Sequence, residues 1–183
     1  MNTVVNPEVV LSFWFAPQVQ SFWFEKNVDF DYLIKQRFLD IYQQAVAGAL
    51  NHWRDNARGT LALIIILDQF PRNMFRDTPQ AYATDHQAVE LTKYALNRNY
   101  EKNLSIEEQV FLYMPLMHSE SQTDQTQCVK LFTKLGKEDN LRFALRHQEI
   151  IDRFGRFPHR NQILGRESTP AEQEFLTQPG SSF

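Results

Sequence analysis

Cysteine is almost absent from this 183-residue chain. Cys128 stands alone, which excludes an internal disulfide and any multi-cysteine zinc or iron–sulfur site, and fits a reducing compartment. Long apolar runs are missing as well. The longest, Leu61 to Leu67, is seven residues, against the roughly 20 that cross a bilayer. Met1 to Glu8 has no basic region leading into an apolar core, so no signal peptide is expected and the protein reads as soluble and cytoplasmic. The six glycines and eight prolines are scattered, and no stretch is long or polar enough for a flexible tether. No self-similarity recurs at the spacing of roughly 33 to 47 residues found in common helical repeats. No glycine loop of the Walker or dinucleotide-binding kind occurs, and the five histidines include no His-Glu-x-x-His pair, so neither cofactor nor metal is expected. A basic excess is lacking too: 19 Lys and Arg against 22 Asp and Glu give a net charge of −3, which argues against nucleic acid or an anionic membrane as partner.

What is present is apolar and aromatic. Hydrophobic residues make up 43% of the chain, with 15 Phe, 6 Tyr and 3 Trp, enough for one well-filled core across residues 1–183. The patterning is helical almost throughout. Asn6 and Pro7 supply an N-cap and a first-turn proline for a short helix toward Trp14. Ile34, Phe38, Ile41, Tyr42, Ala45 and Ala49 recur at amphipathic spacing in a helix from Asp29 to about Leu50. Thr60 is expected to cap the next helix, Leu61 to Phe70, apolar on all sides and ended by Pro71. Thr78 and Pro79 open another, through Ala88, Leu91, Ala95 and Leu96. Ser105 with Glu108 is a capping box for a helix reaching Tyr113, which Pro115 breaks. A helix from about Ser119 stops at Gly136, and one capped by Asn140 stops at Gly155. Thr169, Pro170 and Glu172 form a last capping box. No run alternates with period two, so the expected fold is all-α, a single domain of about eight helices.

Charge is unevenly placed. Between Arg142 and Arg166 lie six arginines, no lysine and only Glu149 and Asp152, a local +4 that leaves −7 for the rest. The planar guanidinium stays charged when partly buried and grips carboxylate or phosphate with paired hydrogen bonds.

Three clusters embed polar groups among large apolar ones. The first is Asp68-Gln69-Phe70-Pro71-Arg72-Asn73, where a desolvated Asp68 needs a partner such as Arg72, Arg76 or a later arginine. The second is Pro115-Leu116-Met117-His118-Ser119-Glu120. Ser119 fits a cap with Gln122 at the third helical position, while His118 and Glu120 converge on a ligand only from non-helical backbone. A His–Ser–acid triad lacks the Gly-x-Ser-x-Gly elbow. The third runs from Arg153 to Asn161 and on through Arg166, Ser168 and Thr169. Gly155 and Pro158 shape a turn that presents Arg153, Arg156, His159, Arg160 and Asn161, rich in donors and poor in acceptors, and suited to an anion. The same arginines also suit structural pairing with Asp68, Asp85 and Glu120, clamping the last helix to the bundle. His147 shares a stripe with Phe143, Ile150 and Phe154 and reads as a core histidine held by hydrogen bonds.

These motifs, with Val10-Leu11-Ser12-Phe13-Trp14-Phe15, Trp23-Phe24, Phe75-Arg76 and Leu164-Gly165-Arg166, make the chain resemble the bacterial family known as domain of unknown function 924. The resemblance implies an all-helical fold similar to tetratricopeptide-like hairpin arrays, and no activity.

The expected function is binding of a small anionic molecule, phosphate or carboxylate. The candidate ligand-binding residues are Asp68, Arg72, Asn73, His118, Ser119, His147, Arg153, Arg156, His159, Arg160, Asn161 and Arg166. His118, His159 and Glu120 are the acid–base candidates should a reaction occur there, an imidazole pKa lying near ~6.5. The alternative is an interaction module whose arginines grip an acidic peptide in a groove lined by Trp14 or Trp23.

Overall fold

A computed structural model of the chain describes residues 6–183, and every regular element among them is helical. The chain divides into two compact units, residues 6–76 with 80–115, and residues 77–79 with 116–183.

The first unit is built around one apolar rod. α1 (Pro7–Trp14) begins as expected, the Asn6 side chain accepting the Val9 amide, and α2 (Pro17–Gln20) follows. α3 (Val28–Val46) is capped by Asn27 and buries Phe30, Ile34, Phe38, Ile41, Tyr42 and Ala45. The central helix starts earlier than Thr60: α4 (Ala57–Ile64) is capped by Asn56, and Thr60 donates its hydroxyl back to Asn56 O at 2.9 Å. Asparagine is the better cap, and Gly59 lets the helix start pass against the preceding turn, because a Cβ there would lie 1.9 Å from Trp53 O.

Pro71 does not end this rod. After α4 one π-helical turn, Ile65–Gln69, leads straight into α5 (Phe70–Met74), the Phe70 amide reaching back to Ile65 O. Proline lacks the N–H that would bond Leu67 O, and the wider turn leaves room for its ring. The freed Leu67 carbonyl accepts the Thr84 hydroxyl at 2.6 Å. Thr84 precedes α6 (Asp85–Asn97), which follows a 3₁₀ turn at Pro79–Tyr82 instead of the helix expected directly after Thr78.

Pro115 also falls inside a helix. α7 (Ile106–His118) opens with the Ser105/Glu108 capping box and runs through Pro115 without breaking at Tyr113. Leu112 O, three residues before the proline, accepts the Thr92 hydroxyl at 2.8 Å; the carbonyl that Pro115 cannot serve is that of Phe111. Thr84, just before α6, and Thr92 on it thus hydrogen-bond the π turn and α7. Around them packs an aromatic core: Trp14 meets Phe70 and Phe111 edge-on at 5.6 and 5.5 Å between ring centroids, and Phe38 lies 4.6 Å from Phe70. Trp14 is fully buried, and Trp23 donates its indole N–H to Trp14 O at 2.9 Å.

In the second unit α8 (Gln122–Leu135) and α9 (Glu138–Phe154) form an antiparallel hairpin turned at Gly136, φ 73°. Ser121, not Ser119, caps α8, accepting the Asp124 amide. Asn140 caps nothing, since α9 already begins at Glu138 behind Lys137. Gly155 ends α9 in the left-handed conformation (φ 69°) with its amide on Ile151 O, a geometry glycine adopts without strain. A 3₁₀ turn at Pro158–Arg160 follows, and α10 (Pro170–Leu176) carries the complete Thr169/Glu172 capping box. Ile150, Ile151, Phe157 and Phe175 form the core beneath, with Phe154 against it.

Candidate functional site

In the first unit Asp68 sits in the π turn and is fully buried. Its carboxylate accepts the Gln69 side-chain amide at 2.5 Å and lies 3.5 Å from Arg72 Nη1. Arg72 also donates to the Asp68 carbonyl and holds both oxygens of Asp85 at 2.9 and 3.0 Å. Burial works against the Arg72 charge, but the two carboxylates outweigh it and raise its pKa. Asn73 points elsewhere, donating to Asp31 Oδ1 at 2.8 Å, where Arg76 completes a two-pronged pair at 2.6 and 2.8 Å. Asp68, Arg72 and Asn73 are therefore engaged in ion pairs and amide bonds within their own unit. A surface depression of about 620 Å³ in this unit is lined by Ala45, Arg54, Leu67, His86, Tyr94 and Asn97 among others, none of them a candidate.

The remaining candidates fall in the second unit. The buried Gln125 side-chain amide donates to the carbonyls of Met117 and Ser119 at 2.7 Å each and to Leu116 at 3.3 Å, meeting acceptors that a helix end leaves open. Ser119 donates its hydroxyl to Asp124 at 2.7 Å. Held in this way, the segment turns Glu120 toward the Phe157 amide, which donates to it at 2.8 Å, while Arg166 grips both of its oxygens at 2.8 and 3.0 Å. Arg166 also donates to Asn161 Oδ1 and Phe157 O, and Asn161 donates to Ser168. Burial acts to raise the Glu120 pKa; the Arg166 hydrogen bonds, the Phe157 amide and the charges of Arg166 and Arg160 overcome it and hold the carboxyl below its ordinary value. With both oxygens so occupied, Glu120 has the geometry of a clamp. Arg156 does the same for α10, binding Glu172 through two bonds of 2.7 and 2.8 Å and the Glu167 carbonyl. That pairing draws the Glu172 carboxyl down to about 2, against the effect of its burial. Arg153 lies over the rings of Phe154 and Phe175.

A separate group remains once these clamps are placed: His118, His147, His159 and Arg160. His147 is buried on α9, with Phe143 on the same stripe turned out to solvent. His147 Nδ1 lies 2.8 Å from Phe143 O. A carbonyl only accepts, so Nδ1 carries the proton and, in the neutral ring, Nε2 keeps its lone pair. Burial first, and then the charges of His118, Arg160 and His159, push the His147 pKa down to about 3 against the pull of the Phe143 bond. Arg160, only 7% exposed, donates to His118 O at 3.0 Å and lies 4.6 Å over the Phe157 ring. The ring of Phe183 stacks on His147, 3.9 Å between centroids and 24° apart. It stands edge-on to His159 at 5.4 Å. Among the described residues no set of His, Cys, Asp or Glu is arranged to hold a metal ion.

Sequence reasoning named His118, His147, His159 and Arg160 without joining them to Phe157 and Phe183. The two phenylalanines carry no local signal for the role. Phe157 reads as an anchor of its turn, and Phe183 lies beyond the last helix, outside any periodic pattern. Glu172 has a signal of its own, the capping box, which hides its second task of holding Arg156.

The solved structure of a protein of unknown function, ATU0120 from Agrobacterium tumefaciens, is similar to this chain with a TM-score of 0.87 at 39% identity, covering 93% of this chain and 96% of that one. No curated protein matches. The pattern described as bacterial protein of unknown function (DUF924) matches residues 10–180. Nearly the whole length of the chain follows it, so the protein belongs to that family.

Proposed function

We propose that the second unit binds a small anionic molecule, a phosphate or a carboxylate, at His118, His147, His159 and Arg160. The observation that carries the reading is the geometry: the rings of His147 and His159 lie 5.5 and 5.8 Å from that of Phe157, over which the buried Arg160 lies at 4.6 Å. A guanidinium and several imidazole nitrogens gathered in a partly desolvated setting suit an anion, to which they can donate hydrogen bonds. Arg156 and Arg166 support the site by holding α10 and the Phe157 turn in place. If a proton is transferred there, His118 and His159 are the groups to carry it, with Glu120 committed to Arg166 and the Phe157 amide.

The second reading, an interaction module for acidic peptides, is favoured by Phe24, 73% exposed, with Val28 and Tyr32 also outside. Against it, Trp14 lies in the core and Arg156 and Arg166 already hold carboxylates.

A thermal-shift screen separates the two. A ligand at 100 times its dissociation constant stabilises by about 2.7 kcal/mol, which for a chain of this size is a rise of roughly 5 to 10 °C. A rise with phosphate-bearing or carboxylate metabolites that Arg160→Met abolishes supports the anion site. A rise with acidic peptides alone moves the function to the interaction module, and no rise with any anion sinks the proposal.

A further inference from the structure

We infer that the depression along α6 in the first unit is a second ligand site, and that it takes a small amphiphilic anion, an alkyl carboxylate. It shares no residue with the site proposed above.

The depression suits an elongated molecule. Its volume of about 620 Å³ falls within the roughly 300 to 1,000 Å³ of small-molecule pockets. Its lining runs along α6 from His86 to Asn97, about 16 Å at roughly 1.5 Å per residue. The end of α3 adds Ala45 and Val46, and the central rod adds Leu63 of α4 and Leu67 of the π turn, a feature that recurs at functional sites. With Leu91 of α6, the apolar part of the lining is aliphatic apart from the Tyr94 ring. Such a floor matches a flexible hydrocarbon chain, whose methylenes leave water against it.

Positive charge gathers at one end of the groove. Tyr94, near the end of α6, carries the Arg54 guanidinium 5.1 Å from its ring centroid and that of Arg98 at 4.4 Å. Arg58, Arg72, Arg76, Arg156 and Arg166 each hold a carboxylate. Among the described residues Arg54 and Arg98 hold none, and the tyrosine ring is what their guanidiniums meet. Glu90, one turn before Tyr94, is drawn to Lys93 at 3.8 Å. The C-terminal end of α6 opposes an anion with only about half a charge, which two guanidiniums outweigh. A carboxylate seated there takes charge-assisted hydrogen bonds from the arginines while its chain lies on the leucines.

Calorimetric titration of the full chain with acetate, butyrate, hexanoate, octanoate and octylammonium tests this. The proteins are the native chain, Arg160→Met, Val46→Glu, and a double variant combining Arg54→Gln with Arg98→Gln. Val46, Arg54 and Arg98 are exposed, so their replacement leaves the core as it is. Each methylene laid on the floor should tighten binding about fourfold until the groove is filled. The double variant and Val46→Glu should each weaken octanoate at least tenfold, and Arg160→Met should leave it unchanged.

Each other outcome discriminates. Acetate binding as tightly as octanoate, or octylammonium binding as tightly, overturns the amphiphilic site. Loss of octanoate binding in Arg160→Met with full binding in the double variant places the ligand in the second unit, which leaves the anion reading standing and overturns this one. Absence of saturable octanoate binding overturns it as well. A second readout is independent of affinity: octanoate should shift the methyl resonances of Leu63, Leu67 and Leu91 and leave those of Ile150 and Ile151 in place. Shifts confined to the second unit refute the groove.

Discussion

His147 provides the sharpest test of the electrostatics in the second unit. Its folded pKa of about 3 lies below the ordinary 6.5, so the unfolded chain binds the extra proton first. Stability is therefore whole above about pH 6.5 and is lost as the pH falls toward 3, at about 1.36 kcal/mol per unit. Between pH 7 and pH 4.5 the loss from this one group comes to about 2.5 kcal/mol. Carboxylates and the other histidines titrate in the same range, so the native protein is best compared with His147→Asn. The asparagine amide can keep a donor toward Phe143 O and cannot take a proton. Urea unfolding followed by far-ultraviolet circular dichroism at both pH values gives the difference. The native protein should lose roughly 1 M more in its midpoint than the variant, taking a denaturant slope of about 2 to 3 kcal/mol per molar. A native-minus-variant difference that stays constant from pH 7 to pH 4.5 refutes the argument.

Three further outcomes follow from the packing. Thr84→Val removes the hydroxyl that meets the Leu67 carbonyl beside Pro71 and should cost about 1 to 3 kcal/mol in thermal melts, which Thr84→Ser largely recovers; a neutral Thr84→Val would mean the carbonyl is served otherwise. Gly59→Ala sets a methyl 1.9 Å from Trp53 O and should destabilise by about 3 kcal/mol or more; an unchanged melting temperature would contradict the close passage there. Cys128 is buried and its thiol is pushed up to about 12, so disulfide reagents should react only after denaturant is added, and rapid labelling of the native protein would show the site to be open.

The helical fold was readable from residues whose partners lie within four positions. Asn6 before Pro7, Ser105 with Glu108 and Thr169 with Glu172 each satisfy amides of their own first turn, and Gly136 and Gly155 each end a helix in the one backbone region that glycine enters cheaply. The same local reasoning misplaced Thr60, Ser119 and Asn140, since a better cap, or an earlier helix start, stood a few residues away at Asn56, Ser121 and Lys137. The candidate site was legible as a list of residue types and not as an arrangement. Arg156 and Arg166 suited an anion and structural pairing alike, and the fold matches each to an acid 16 or 46 residues distant.

By itself, then, the sequence determined that the chain is helical, several of its helix caps, the family, and which segments carry nitrogen-rich side chains. Tertiary structure alone decided that Pro71 would not end its helical rod, because the freed Leu67 carbonyl is met by Thr84 from elsewhere in the chain. It also decided which arginines are clamps, and that His147 stays neutral with Phe183 laid across its face. Those outcomes depend on partners and burial that chain folding brings from far along the sequence, and no local pattern encodes a partner that is not yet there.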